Sequence, residues 1–179
     1  MIFSEIGLKG AYVIELEKQR DERGFFARSW CRREFKARGL ETGLSQCNIS
    51  FNAKKGTLRG MHYQAEPFGQ AKLVRCTSVS IYDVIVDLRP GSPSLHRHAG
   101  IYLTSSGHTM LFVPKGFAHG FLTLEDDTEV FYQMSDFHAP GYECGFRWDD
   151  PFFGIEWPPE VRVICERDRG YQDFAILQE

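Results

Sequence analysis

The histidines mark where this chain could do chemistry. His62 stands in Arg59-Gly60-Met61-His62-Tyr63-Gln64, and His119 in Pro114-Lys115-Gly116-Phe117-Ala118-His119-Gly120-Phe121. An imidazole has an ordinary pKa of about 6.5, so it moves protons near neutral pH or ligates a metal. The metal option needs three or four ligands gathered in one place. His96 and His98 form an HxH pair, but beside a turn cluster and with no acidic or cysteine partner at suitable spacing. His108 and His138 have no clear partner. An isolated histidine is most often a satisfied core or surface residue. His62 is less isolated, with Arg59 and Gly60 before it, Lys72 starting the next apolar run and Tyr132 in a late one. Arg59 and His62 differ by an odd number of positions, so on a regular strand they face opposite ways. A bulge would bring them to one face, and Gly60 is the residue to make it.

These groups must be positioned by strands. Residues 10–17, GAYVIELE, alternate apolar and polar as a half-buried strand does, and KQRDERGFF then breaks the pattern as a loop before Phe25-Phe26 start an extended piece. Ser29 is placed to cap a short helix over 30–38 that Gly39 ends. From residue 44 strand follows strand: 44–51, 57–64, two within 72–88 with a turn near 77–80, then 98–104, 109–114, 117–124 and 128–135. Asp126-Asp127 reads as a hairpin turn, and the tail from Asp149, with Pro151, Pro158 and Pro159, as an irregular wrap. Short strands at close spacing with Gly/Pro punctuation predict a barrel or sandwich. The PxGxxH element at 114–119 is a cupin-type signal, its Pro and Gly shaping a turn that aims the histidine inward. Many such barrels hold a metal through HxH plus Glu. Here Tyr63-Gln64 follow His62, and Glu66 sits in a Pro/Gly loop, so a barrel without metal or other cofactor is expected.

The bulk properties narrow the partners. The 179 residues suit one domain, taken as 1–179. Hydrophobic residues make up 42%, charged residues 25% and aromatics 14%, a globular composition with ample core material. A net charge of −3 argues against nucleic acid as a partner, which calls for a basic excess, and favours a small molecule. Five cysteines without CxxC spacing, namely Cys31, Cys47, Cys76, Cys144 and Cys165, predict reduced thiols in a cytoplasmic protein. No signal-like or membrane-length apolar run occurs, so no membrane partner is expected.

Beyond these readings, an ordered set of segments resembles the dTDP-4-dehydrorhamnose 3,5-epimerase family. DERGFF (21–26), SQCNIS (45–50), TLRGMHYQ (57–64), KLVRC (72–76), YDVIVDLRPGSPS (82–94), VPKGFAHGF (113–121), FRWDDPFFGIEWP (146–158) and ERD (166–168) fall in that family's order and spacing over most of the chain. The resemblance implies an all-β, cupin-like jelly-roll barrel with a few short peripheral helices, no metal and a homodimer. It implies His62 as general base, Asp168 as its paired carboxylate, Lys72 near a keto oxygen and Tyr132 as general acid on the opposite face. Asp168 would orient the imidazole and favour its protonated form. Substrate-binding positions would be Arg23, Phe26, Arg28, Gln46, Asn48, Arg59, His119, His138, Glu143 and Arg167. The substrate would be a nucleotide-diphosphate-linked 4-keto-6-deoxyhexose, with Arg59 and Arg23 suited to the diphosphate.

The chain departs from the family pattern at several points. Arg28 stands where an acid is frequent, Gln19 where an aromatic is, Arg167 where a lysine is, Ala71 where a glycine is, and Phe137-His138 where one or two tyrosines are. These changes predict a relaxed nucleotide preference among dTDP, CDP and GDP. A relative inverting one centre, a metal-dependent cupin and a non-catalytic sugar-nucleotide-binding cupin are the competing readings.

Overall fold

The computed structural model describes residues 1–158 and 160–174; Pro159 and the last five residues lie outside the described part. The strands are β1 (Ile2–Glu5), β2 (Tyr12–Glu15), β3 (Gln19–Asp21), β4 (Gly24–Phe26), β5 (Gln46–Asn52), β6 (Leu58–Gln64), β7 (Lys72–Ser78), β8 (Ser80–Asp87), β9 (His98–Thr104), β10 (Met110–Val113), β11 (Phe117–Thr123), β12 (Thr128–Met134) and β13 (Glu143–Gly145). They form a six-stranded sheet ordered β1-β2-β10-β7-β12-β5, a five-stranded sheet ordered β13-β6-β11-β8-β9, and a separate β3–β4 hairpin. The two large sheets face each other as a cupin-like barrel, all-β apart from two short helices, α1 (Arg32–Lys36) and α2 (Glu166–Arg169).

Period-two alternation builds the interior. Along β8, Ile81 and Ile85 face the barrel with Val74, Cys76, Leu103, Leu111, Val113, Phe117 and Val130. Val84 and Val86 point outward, where Met61, Ala118, Phe146 and Phe153 cover them. Burying each such aliphatic side chain contributes about 1.5–3 kcal/mol. The outer face of the other sheet is closed by Phe35 of α1, packed with Ile14, Leu73, Met110 and Phe112. The irregular tail brings Phe153 and Phe174 onto Phe146, with ring centroids 4.4 and 5.8 Å away. That contact holds the chain on the outer sheet just where α2 must sit over β6.

Most predicted strands stand within two residues of their expected ends. Val79, at φ 64°, makes the break between β7 and β8, and Asp127, at φ 52°, turns the β11–β12 hairpin. Three expectations need correction. The helix predicted over 30–38 spans only Arg32–Lys36, and its N-cap is Cys31, with no side-chain cap bond, rather than Ser29. One apolar anchor, Phe35, holds it, too little buried face for a longer helix. The stretch expected as a loop before Phe25 forms the β3–β4 hairpin. The tail carries α2, and β13 forms just before it; both are too short to leave a periodic signature.

Candidate active site

β6 carries the first two functional groups on one face. His62 pairs with His119 of β11, yet Arg59 pairs with Phe121, so β6 spends one extra residue between them. That residue is a bulge at Gly60, whose φ of +142° suits glycine alone. A side chain there would meet Gly120 Cα at 2.5 Å. The bulge turns Met61 outward into the core under the tail and points both Arg59 and His62 into the barrel mouth, as the spacing argument required.

His62 is fixed by α2. Its Nε2 donates to Asp168 Oδ1 at 2.7 Å, which leaves Nδ1 as the free lone pair. Asp168 is buried, and its other oxygen accepts the Gly60 N–H at 3.1 Å, so one carboxylate ties the imidazole to its own strand's bulge. Burial works to raise Asp168, but His62, Gly60 and Arg167 together hold it down to about 2. The imidazole moves down from its ordinary value: burial outweighs Asp168, and Lys72 and Arg167 push the same way. Asp168 does favour the charged ring, as expected, but desolvation outweighs it. His62 is neutral at pH 7 and can accept a proton.

Lys72 opens β7 and Tyr132 sits mid-strand on β12, both across the barrel from β6. Burial pulls Lys72 down to about 8, opposed by the Asp83 carboxylate. Burial raises the Tyr132 phenol, opposed by Arg59 and by a hydrogen bond with Asn48. His62, Lys72, Tyr132 and Arg167 line two adjoining cavities, of about 210 and 430 Å³. The smaller is completed by Gln64, Gln70, Met134, His138, Glu143 and Tyr171 among others. Arg59, His119 and Asp168 line the larger.

The remaining predicted residues divide. Arg59 Nε donates to Asn52 Oδ1 at 2.7 Å, which aims its guanidinium. His138 and Glu143 form a pair at 2.8 Å on the cavity wall. Gln46 accepts the His138 backbone N–H, and Asn48 donates to Met134 Sδ at 3.0 Å, so both steady the wall beside Tyr132. His119 is committed inward, its Nε2 lying 2.9 and 3.0 Å from the two Asp83 oxygens. Arg23, Phe26 and Arg28 do not line the His62 cavities. Arg23 pairs with Asp21 on the exposed hairpin; Phe26 and Arg28 flank a separate recess with Glu17 and Glu34.

Sequence reasoning passed over Asp83 and Tyr171. Asp83 was findable: it falls on the inward register of β8 between Ile81 and Ile85, where an acid must have a partner. Tyr171 follows α2 in the irregular tail and carries no pattern. Among the described residues no three His, Cys, Asp or Glu side chains gather as a metal site.

A barrel whose mouth sets an Asp-backed neutral histidine and a protonated tyrosine around one cavity, with a half-buried lysine beside them, is an acid–base enzyme of the cupin-like class. The family model for dTDP-4-dehydrorhamnose 3,5-epimerase matches residues 5–175. The Sinorhizobium fredii dTDP-4-dehydrorhamnose 3,5-epimerase is 39% identical, over 99% of this chain and 91% of its own length. The crystal structure of the Elizabethkingia anophelis enzyme of that name superposes with a TM-score of 0.94 at 33% identity, covering 97% of this chain and 96% of that one. The Bacillus anthracis one, solved with TDP and PPi bound, gives 0.92 at 35% identity, covering 97% and 99%. The chain belongs to the dTDP-4-dehydrorhamnose 3,5-epimerase family, and it is an isomerase.

Proposed function

We propose that this enzyme inverts C3 and C5 of dTDP-4-dehydro-6-deoxyglucose with His62 as base and Tyr132 as acid. Both carbons flank the C4 ketone, so their protons are the acidic ones. The observation that carries the reading is the neutral, Asp168-held His62 sharing one cavity with Lys72 and Tyr132. His62 removes the proton, the electron pair moves onto the C4 oxygen, and Lys72 stabilises that enolate with its charge. Tyr132 returns a proton to the other face, which inverts the centre. Arg59 and Arg167 on the cavity wall suit the diphosphate. The test is conversion of the dTDP-4-keto sugar, with the product's ring couplings read by NMR. A product inverted at C3 and C5 supports the reading; inversion at one centre favours the single-centre alternative. Recovery of unchanged sugar with dTDP, CDP and GDP carriers would favour a binding module.

A homodimer, with the chain acting as one domain over 1–179, completes the proposal. The β3–β4 hairpin is exposed throughout, with Phe26 71% exposed, while Ile49 and Phe51 on the edge strand β5 are 63% and 56% exposed beside the larger cavity. A second copy seated on that edge would cover the apolar residues and bring Arg23, Phe26 and Arg28 to the substrate. Sedimentation velocity of wild type and Phe51→Glu tests it. The basic Arg28, two residues past that hairpin, supports a relaxed nucleotide preference, which titration with dTDP, CDP and GDP would measure. Among the described residues no helix is long and apolar enough to cross a membrane, and the five thiols are free, which supports a cytoplasmic setting.

A further inference from the structure

We propose that Tyr171 is a positioning residue for His62, holding the plane of its imidazole from the side that Asp168 does not reach. The inference rests on His62 being the base.

The contacts of Nε2, with Asp168 Oδ1 at 2.7 Å and with the Arg167 guanidinium at 3.4 Å, hold one ring atom but leave the ring free to pivot about it. Tyr171 meets the imidazole edge to face, ring centroids 6.0 Å apart and planes at 64°. That contact blocks the pivot and sets where Nδ1 points. Tyr171 has a seat of its own. It lies against Gly145 of β13, the register partner of His62, and a side chain at Gly145 would meet the tyrosine ring at 2.5 Å. The missing side chain at 145 is therefore what admits the phenol ring beside His62. Tyr171 also forms part of the wall of the smaller cavity, between Cys144 and Arg167, and keeps water from that side of the imidazole.

The test compares Tyr171→Ala and Tyr171→Phe. The groups facing His62 stay in place throughout: Asp168 and Arg167 from α2, Lys72 from β7, Tyr132 from β12, Glu143 from β13, and Arg59 and His119 at the same mouth. Misaiming a base by about an ångström costs up to roughly 100-fold. Tyr171→Ala should lose about 10- to 100-fold in kcat with KM little changed, because water and pivoting reach the ring but the substrate contacts remain. The acid limb of its pH profile should move up towards the ordinary histidine value, since desolvation is relieved. Tyr171→Phe should restore both, because the ring and not the hydroxyl does the positioning. The His62 imidazole resonances, followed by NMR through a pH titration without substrate, give a readout independent of turnover. An unchanged His62 titration and wild-type kcat in Tyr171→Ala would overturn the proposal while leaving His62 as base. If the wild type shows no epimerisation, the base assignment fails, and the NMR titration alone decides whether Tyr171 holds the ring.

Discussion

Replacing Lys72 by methionine should make the protein more stable and less active. Burial holds the ammonium at about 8 against an ordinary 10.5. At about 1.36 kcal/mol per pH unit, keeping that lysine charged at pH 7 costs the fold roughly 3 kcal/mol. Methionine matches the stem and needs no water. Asp83 loses a counter-charge in the exchange, but its bonds to His119 at 2.9 and 3.0 Å remain. The net gain should be about 1–3 kcal/mol, which for a chain of this size raises Tm by roughly 2–4 °C per kcal/mol. The pH dependence has a definite sign. A lysine lowered on folding makes the wild type gain stability as pH climbs from about 8 to 10.5, where the folded form sheds its proton first. The variant should lack that rise. Turnover should fall about 10²- to 10³-fold, the usual loss when a charge facing a developing oxyanion is removed. Urea unfolding at pH 7 and 10, together with kcat on the dTDP-4-keto sugar, measures both halves. A variant less stable than wild type that keeps its kcat would refute the reasoning on both counts.

Further outcomes follow from the same geometry. Asp168→Asn keeps an acceptor for the Gly60 N–H but removes the charge, so His62 should titrate still lower and kcat drop about 10²-fold or more, read by NMR titration and initial rates. The profile of kcat/KM over about pH 5 to 10 should rise as His62 deprotonates below its ordinary value and fall with a midpoint at about 8 as Lys72 loses its proton. Tyr132, raised by burial, stays protonated across that window, so an alkaline limb absent at 8 and reached only beyond the window would assign it to Tyr132 and not Lys72. Gly60→Ala places a Cβ 2.5 Å from Gly120 Cα at a φ of +142°, and should cost about 2–5 kcal/mol in denaturant unfolding and lower turnover.

The strand-rich core was legible because its alternation is long and its turns carry Gly, Pro and Asp. The Gly60 bulge was legible too, since Arg59 and His62 make chemical sense together only if an extra residue lies between them. What escaped was set by contacts distant in sequence. Tyr171 matters because β13 leaves a gap at Gly145, and no local pattern records that. The net lowering of His62 was not legible because sequence shows the Asp168 partner, which does favour the charged ring, but not the burial that outweighs it. Arg23, Phe26 and Arg28 were expected among the substrate-binding residues, yet within one chain they lie away from the cavity.

The most direct test of the central claim is deuterium exchange. Wild type, His62→Ala and Tyr132→Phe would each be incubated with dTDP-4-dehydro-6-deoxyglucose in D₂O, and label at C3 and C5 read by NMR. The account expects label at both carbons with wild type, none above background with His62→Ala, and loss of net inversion with Tyr132→Phe. Wild-type labelling by His62→Ala would contradict it, because some other group would then be taking the proton.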